Sequence, residues 1–356
     1  IDLIVCNLYP FQDTINKKYT GLEEAVENID IGGPTMIRSA AKNFNDVTVV
    51  VDPSDYNGIL EELRNNETRV GYQKRKNLAY KAFRHTAEYD NIIQHYFQEL
   101  VKDEAGQQGQ KLPLFPEHLS LKYTKIKELR YGENPQQEAA FYRDKNLSEK
   151  HKADKNEPSI TSAQKLHGKE LSFNNINDTN GALELIKEFP EKPAAAVIKH
   201  TNPCGAAVGS NLLNAYKRAH AGDPVSAFGS IVALNQKVNL EVAEEITTGD
   251  KFIEVVIAPD YTEEALEIIK DRWDNIRILK TGEFNDFQRS GFDLKKVTGG
   301  LLIQQRDIKP LDREKTQIVT DNKPTEREMK DLLFSWKVTK HVKSNAIVMA
   351  RDEMVV

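Results

Sequence analysis

Cysteine is nearly absent from this sequence, and long apolar runs are missing. Cys6 and Cys204 are the only two cysteines in 356 residues, which excludes a disulfide framework and fits a reducing compartment. Neither a Cys-x-x-Cys nor a His-x-Glu spacing occurs, so a zinc site is hard to build. No stretch approaches the roughly 18 apolar residues that a membrane-spanning helix needs. We therefore expect a cytoplasmic protein with no membrane partner and no catalytic metal.

Strong positive charge is also missing. The net charge is -5 and the sequence pI is about 6.0, which argues against a broad nucleic-acid-binding surface. The densest basic cluster, Lys74-Arg75-Lys76, is typical of a solvated helix face. An anionic ligand would therefore be held by local basic groups and backbone amides rather than by the field of the whole protein.

The order of strand and helix signals predicts an α/β protein with two domains. Apolar strands at 2–6 and 47–51 alternate with helices, which indicates a parallel α/β unit. Residues 107–122 carry Gly, Pro and charge with little periodicity, so we place the domains at 1–116 and 117–356. Ser54 is the expected N-cap of the helix that follows it, and 346–350 the expected last strand. The predicted helices are 22–28, 34–42, 55–64, 71–101, 179–188, 214–220, 240–247, 263–270 and 326–340.

The most informative segment is an apolar run from Ala194 that ends in Lys199 and His200. The run is typical of a strand buried on both faces, and Asn202-Pro203 with Gly205 should turn the chain out of the sheet. Lys199 and His200 would then lie at the carboxyl end of an interior strand, where open α/β sheets bind ligands. Such a pair can exchange protons near neutral pH. A pair that merely solvates a turn is the alternative, and it is the commoner case for an isolated Lys-His.

Three further loops, 27–35, 129–137 and 222–230, are polar, and such loops at element ends often carry function. Together with Asn7-Leu8-Tyr9-Pro10-Phe11, Lys199 to Gly205 and Lys343-Ser344-Asn345, they resemble the bifunctional purine-biosynthesis family. That family combines aminoimidazole carboxamide ribonucleotide (AICAR) formyltransferase with inosine monophosphate (IMP) cyclohydrolase. The resemblance implies an α/β fold: a partial methylglyoxal-synthase-like parallel domain, then a partial cytidine-deaminase-like transferase domain.

The resemblance also implies the chemistry. The formyl group of the co-substrate 10-formyltetrahydrofolate would pass to AICAR, and the formyl-AICAR would cyclise to IMP with loss of water. AICAR, formyl-AICAR, IMP and folate are the implied ligands, and a homodimer with the transferase site across its interface is implied. In the family a phosphate-binding portion precedes the position of Ile1 and more of the transferase follows that of Val356. We therefore expect this chain by itself to have little activity.

The resemblance also assigns roles to individual residues. Proton transfer falls to His200, supported by Lys199, with Asn345 in the same site. The ribonucleotide contacts are Arg130, Tyr131, Phe228, Gly229 and Glu254. Without the resemblance, Arg130 and Tyr131 would be interpreted as a surface arginine and a half-buried tyrosine. Phe228 would be interpreted as a core phenylalanine, and Glu254 as an exposed charge at the start of a strand.

For cyclisation the resemblance assigns Tyr9, Asp30 and Lys42, with the backbone at Gly32 as a substrate contact. The alternative for Lys42 is a helix-end cation that the helix dipole favours. Tyr9 and Asp30 could equally be a half-buried ring and a solvated turn carboxylate.

Two other classes of protein compete with this interpretation. A zinc deaminase is one, since Pro203-Cys204 is similar to part of its signature, but the second cysteine is absent. A nucleotide-binding module without catalysis is the other, and turnover assays separate it from an enzyme.

Overall fold

The computed structural model describes residues 1–17, 19–109, 113–144, 157–284, 287 and 289–356. It divides the chain into two compact units, unit 1 (Ile1–Leu119) and unit 2 (Ser120–Val356). Among these residues, no helix is both long enough and apolar enough to cross a membrane.

Unit 1 is built around two short parallel strands, β1 (Leu3–Val5) and β2 (Thr48–Val50). This is the parallel pairing that the strand and helix alternation predicts. Apolar residues of α3 (Gly32–Lys42) and α5 (Tyr72–Gln107) cover the strands, with Ile37, Val49 and Ala82 wholly buried between them. The helices of unit 1 are α1 (Phe11–Ile15), α2 (Leu22–Glu27), α3 (Gly32–Lys42), α4 (Tyr56–Asn65) and α5 (Tyr72–Gln107).

Unit 2 contains two antiparallel hairpins and a central mixed sheet. The hairpins pair β3 (Tyr123–Leu129) with β4 (Ala139–Asp144), and β11 (Phe292–Val297) with β12 (Gly300–Gln305). The sheet has the strand order β5-β10-β9-β8-β6-β7. Its strands are β5 (Gln164–His167), β6 (Ala194–Lys199), β7 (Asn202–Val208), β8 (Ser230–Leu234), β9 (Ile253–Ala258) and β10 (Arg277–Lys280).

Helices cover both faces of this sheet, so unit 2 is a mixed α/β structure. One hydrophobic core lies under α7 (Leu212–Ala221), α8 (Leu240–Thr247) and α9 (Glu263–Arg272), and a second lies under α6 (Phe173–Ile186) and α10 (Glu326–Thr339). Every residue of β8 is buried, as are the first five of β6, which fits their uninterrupted apolar sequences. The helices are α6 (Phe173–Ile186), α7 (Leu212–Ala221), α8 (Leu240–Thr247), α9 (Glu263–Arg272) and α10 (Glu326–Thr339).

The expectation that the chain leaves the sheet after His200 is wrong. It instead returns as β7, antiparallel to β6, in a hairpin that pairs Lys199 with Asn202. Because β7 is an edge strand, Pro203 costs no central hydrogen bond. Gly205 lets α7 approach, since a Cβ there would lie 1.8 Å from the Ala219 carbonyl oxygen.

Strand direction differs from the expectation as well. β8, β9 and β10 run parallel to one another, but β6 is antiparallel to β8 and β5 is antiparallel to β10. The carboxyl end of β6 therefore lies beside the amino ends of β8, β9 and β10. The crevice at the carboxyl ends of parallel strands, predicted from sequence, is not the arrangement at Lys199.

Three local predictions also need correction. Helix α6 begins at Phe173, six residues before the predicted start at 179, because Ser172 and Asn175 form a capping box. Ser54 is not an N-cap; the Asp52 side chain accepts its backbone N–H and caps a 3₁₀ turn before α4. At 346–350 no strand forms, and only Ala350 makes an isolated bridge, to Val355.

Candidate functional site

Lys199 and the loop before β8 form the centre of the candidate site in unit 2. The Lys199 Nζ donates to the carbonyl oxygen of Phe228 at 2.7 Å. The Phe228 side chain is 58% exposed, and its ring lies 5.4 Å from that of Phe252. Gly229 has a φ of +76° and donates its N–H to the Phe252 carbonyl oxygen at 2.7 Å. The loop is thus attached to the start of β9 and presents an open aromatic face beside Lys199.

The shape of this loop is set by Asp223, which sequence reasoning did not single out. Its Oδ1 accepts the Ser226 backbone N–H at 2.9 Å, and its Oδ2 accepts the Ser226 hydroxyl at 2.5 Å. These hydrogen bonds lower the pKa of the Asp223 carboxyl group. These hydrogen bonds shape the turn that leads the chain to Phe228, whose carbonyl oxygen accepts from Lys199.

His200 and Thr201 are the two central residues of the β6–β7 hairpin, and both have a left-handed backbone. Their φ angles are +51° and +63°, as a type I′ turn requires, although such turns favour Asn-Gly. A β-branched threonine in this region costs on the order of 1–3 kcal/mol. The turn is supported locally, because the Thr201 hydroxyl and the Asn202 side-chain amide both donate to the His200 carbonyl oxygen, at 2.6 and 3.3 Å. The His200 side chain itself is exposed.

Helix α6 supplies two polar residues that contact this region and that sequence reasoning missed. Burial raises the pKa of the half-buried Asp178 carboxyl group, while the backbone N–H groups of Thr201 and His200 and the charge of His200 act to lower it. Asn175 accepts from the Ser172 backbone at 3.2 Å and donates to Glu254 Oε2 at 2.7 Å. Their signal in the sequence is a spacing of three residues, which places them on one side of α6.

Glu254 is a partly exposed carboxylate at the start of β9 that contacts two neighbouring side chains. Besides Asn175, its Oε2 lies 3.5 Å from the Arg277 guanidinium on β10. The negative charge of Glu254 also raises the pKa of the Asp178 carboxyl group. Lys199, His200, Phe228, Gly229 and Glu254 therefore lie together at one edge of the sheet.

Arg130 and Tyr131 reach the same region through the loop after β3. The Arg130 guanidinium lies 5.8 Å from the centre of the Tyr131 ring. The Gly132 N–H donates to the Gln137 carbonyl oxygen at 2.7 Å and closes the loop. The Glu133 carbonyl oxygen accepts the side-chain amide of Asn174 at 3.3 Å, which places the loop on the first turn of α6.

Asn345 lies in the segment after α10 and is exposed. Two residues earlier, the Lys343 backbone N–H donates to Asn202 Oδ1 at 3.4 Å, beside the turn that holds His200. The Asn345 Oδ1 accepts the Ser344 hydroxyl at 3.1 Å. The structure thus brings the Asn345 segment to the hairpin.

In unit 1, Asp30 is the centre of a second candidate site. Its Oδ1 accepts the Gly33 N–H at 2.6 Å, and its Oδ2 accepts the Tyr9 N–H at 3.2 Å. Its own N–H donates to the Tyr89 hydroxyl at 2.8 Å, and that hydroxyl donates to the Asn28 carbonyl oxygen. Asp30 thereby fixes the start of α3 and the chain at Tyr9, whose side chain is 57% exposed.

Lys42 is not brought to this carboxylate. It is the last residue of α3, ten residues after Gly32, which places its Cα about 15 Å along the helix. Its side chain is exposed and makes no hydrogen bond or ion pair within the described part of the chain. The structure therefore groups Tyr9, Asp30 and Gly32 and leaves Lys42 at the other end of α3.

The residues that the structure describes contain no group of three or more His, Cys, Asp or Glu side chains that could hold a metal ion.

Comparison with known proteins identifies the family of this chain. The family model described as "AICARFT/IMPCHase bienzyme" matches residues 40–356. The "Bifunctional purine biosynthesis protein PurH" of Thermoanaerobacter sp. (strain X514) is 50% identical over 352 residues, which are 99% of this chain and 64% of that protein. The solved "Crystal structure of ForH" is 34% identical over 28% of this chain and 50% of that one, with a TM-score of 0.23, too low to support an argument about the fold. From the family match, this chain belongs to the AICARFT/IMPCHase bienzyme family.

Proposed function

We propose that this chain takes part in the last two steps of IMP synthesis. Unit 2 would transfer the formyl group from 10-formyltetrahydrofolate to AICAR, and unit 1 would cyclise formyl-AICAR to IMP. Unit 2 would have a cytidine-deaminase-like fold and unit 1 a methylglyoxal-synthase-like fold. The observation that carries the proposal is the sheet edge where Lys199, His200, Phe228 and Glu254 meet in a chain of this family.

Formyl transfer needs a base and a stabilised oxyanion, because the aromatic 5-amino group of AICAR is a poor nucleophile. The exposed His200 would take the proton as the new C–N bond forms, a role worth roughly 10²–10⁴-fold. Lys199 uses one N–H on the Phe228 carbonyl oxygen, which leaves two for the tetrahedral oxyanion. Tetrahydrofolate then leaves as its N10 takes the proton back from His200, and Asn345 would contact the same tetrahedral oxyanion.

Substrate binding would use the groups around this centre. The Arg130 guanidinium suits the phosphate of the ribonucleotide, with Tyr131 beside it. The exposed ring of Phe228 offers a face to a heteroaromatic ring, and Gly229 allows its close approach. Glu254 would accept hydroxyl or amide donors of the nucleotide.

Cyclisation would use Asp30, Tyr9 and Lys42. Each Asp30 carboxylate oxygen already accepts one backbone N–H, and the remaining lone pairs can accept the carboxamide N–H and orient its nitrogen towards the formyl carbon. Tyr9 would donate to the formyl oxygen as water leaves. Lys42 lies at the other end of α3, so its role in cyclisation requires a substrate that extends along this helix.

The two halves of the proposal are tested by His200→Ala and Lys42→Ala in the full-length gene product. We expect His200→Ala to lower formyl transfer at least 100-fold while supplied formyl-AICAR still cyclises. Lys42→Ala should suppress cyclisation while formyl-AICAR accumulates. The exposed residues His118 and Lys76 provide the controls, His118→Ala and Lys76→Ala, which should change neither rate. Equal loss of both activities in one folded variant would contradict the assignment of two sites.

The same proposal includes a cytoplasmic location and a homodimer whose interface completes the transferase site. Both are implied by the family resemblance. Sedimentation of the gene product at micromolar concentration tests the dimer, and a monomer that retains full formyl transfer would contradict it.

A further inference from the structure

We infer that a cavity of unit 2, between the end of α6 and helix α10, is a binding site for a planar aromatic molecule that carries more than one negative charge. None of the residues that line this cavity belongs to the candidate sites around Lys199 and Asp30. The inference stands on the size, aromatic content and charge of the cavity and does not depend on the proposed function.

The cavity is large enough for such a ligand. Its volume is about 1080 Å³, which is at the upper end of the range for sites that bind small molecules. It is lined by residues of the segment 187–192 directly after α6, of the segment 308–313 after β12, and of α10 with the residue that follows it, 330–340.

Aromatic rings supply much of the apolar lining. The Phe189 and Phe334 rings are buried, and their centres lie 5.3 Å apart with an angle of 30° between the ring planes. Trp336, two residues after Phe334 on α10, also lines the cavity and is 55% exposed. Aromatic side chains favour a planar ring as the ligand, because stacking adds to the gain from buried apolar surface.

The lining carries a large excess of positive charge. Eight lysine and arginine side chains line the cavity, against three glutamates. One of these glutamates is already neutralised, because Glu188 Oε1 lies 2.6 Å from the Arg289 guanidinium and 3.1 Å from Lys340 Nζ. Three further cations of the lining are exposed and form no ion pair with any residue that the structure describes: Lys309, Arg313 and Lys330. An anionic ligand would reduce this mutual repulsion.

Lys337 is the half-buried cation that most needs an anion. Its Nζ donates to the Glu188 backbone carbonyl oxygen at 2.7 Å and lies 5.1 Å from the centre of the Phe189 ring. It forms no ion pair within the described part of the chain, and burial lowers the pKa of its ammonium group. An acidic group beside Nζ would compensate this loss of hydration with a charge-assisted hydrogen bond, while the ring of the same molecule lies against the aromatic lining.

Two planar aromatic dianions that differ in their acidic group, naphthyl phosphate and naphthalene dicarboxylate, are the probes. Isothermal titration calorimetry measures their binding to the full-length gene product in the presence of excess AICAR, which fills the proposed nucleotide site. We expect at least one of them to bind with a Kd of about 1 mM or less, and the tighter one identifies the acidic group that the site prefers. Neutral naphthalene dimethanol and inorganic phosphate each lack one feature of the ligand and should bind at least about tenfold more weakly.

Lys337→Met removes the charge and keeps the length of the side chain. We expect it to weaken binding of the tighter probe about tenfold or more, because the acidic group loses a charge-assisted hydrogen bond. Lys295→Met is the matched control, since Lys295 is exposed on β11 and does not line the cavity. This control should bind the probe as tightly as the parent does.

Trp336→Ala tests the aromatic part of the site and does not depend on whether Lys337→Met folds. Trp336 and Leu332 lie one turn apart on α10 and are 55% and 56% exposed, but of the two only Trp336 lines the cavity. We expect Trp336→Ala to weaken binding about threefold or more and Leu332→Ala to leave it unchanged.

The inference is overturned if neither probe binds the folded protein. It is also overturned if Trp336→Ala binds as tightly as Leu332→Ala, or if a folded Lys337→Met binds as tightly as Lys295→Met. Loss or retention of formyl transfer in His200→Ala has no bearing on these results, because His200 does not line the cavity.

Discussion

Gly33 shows how closely the backbone packs around a candidate catalytic carboxylate. A Cβ at this position would lie 2.6 Å from Asp30 Oδ2 and 2.7 Å from Leu8 Cδ2. The neighbouring Gly32 has no atom within 4 Å of such a Cβ. The two adjacent glycines at the start of α3 therefore differ sharply in the room that surrounds them.

We predict that Gly33→Ala destabilises unit 1 and Gly32→Ala does not. The added methyl group at residue 33 must displace Asp30 from the N–H groups of Tyr9 and Gly33, at a cost of about 1–3 kcal/mol. Hydrogen exchange of peptides from Ile1–Leu119 measures the effect, with Gly32→Ala as the matched control. Equal protection from hydrogen exchange in the two variants would show that Asp30 can move without loss of stability.

At the scale of elements, the end of α6 is linked to β12 and α10 by buried ion pairs. The Lys187 side chain is 1% exposed and donates to Glu157 and Glu184 at 2.8 and 2.6 Å. Arg306, directly after β12, contacts the same two carboxylates, at 2.8 and 2.7 Å. Such ion pairs add little to the stability of the fold compared with apolar residues of the same size. The loss of one partner is nevertheless destabilising, because it leaves an unpaired buried charge.

Glu188, the residue after Lys187, makes the stability of this region depend on pH in a testable way. Burial would raise its pKa, but hydrogen bonds from His341 and Arg289 and the charges of Arg289 and Lys340 lower it to about 2. A carboxyl group with a lowered pKa stabilises the fold above its ordinary value of 4.5, and this stabilisation is lost as the pH falls towards 2.

We therefore predict that Glu188→Gln lowers the free energy of unfolding of unit 2 by about 3 kcal/mol at neutral pH. The difference from the parent should shrink as the pH falls from 4.5 towards 2. Urea unfolding followed by tryptophan fluorescence measures it, because both tryptophans, Trp273 and Trp336, lie in unit 2. Glu267→Gln, at an exposed position on α9, is the control. A difference that stays constant with pH would exclude Glu188 as its source.

At the scale of the whole molecule, each unit has its own hydrophobic cores, and the two candidate sites lie in different units. The proposed intermediate, formyl-AICAR, is a product of one site and the substrate of the other. Nothing in this chemistry requires both sites to be intact in the same chain.

We predict that a mixture of His200→Ala and Lys42→Ala gene products converts AICAR to IMP, although neither variant does so alone. One variant supplies formyl transfer and the other supplies cyclisation, and formyl-AICAR passes between them through solution. The measurement is IMP formation from AICAR and 10-formyltetrahydrofolate, with each variant alone at the same total concentration as the control. An inactive mixture of folded proteins would contradict independent sites.

The sequence by itself determined the elements whose signals are local. Helix α8 spans 240–247 as predicted, and the apolar run from Ala194 is a buried strand that ends at Lys199. The resemblance to the family followed from motifs in their order, and the family match confirms it. Periodicity, caps and motifs are properties of a few neighbouring residues, so they can be recognised without the fold.

Only the tertiary structure decided how these elements meet. The return of β7, the mixed direction of the sheet and the contact of Asn175 with Glu254, 79 residues away, depend on long-range strand pairing. Strand direction and register are fixed by which apolar faces pack together, and no short window of sequence contains that information.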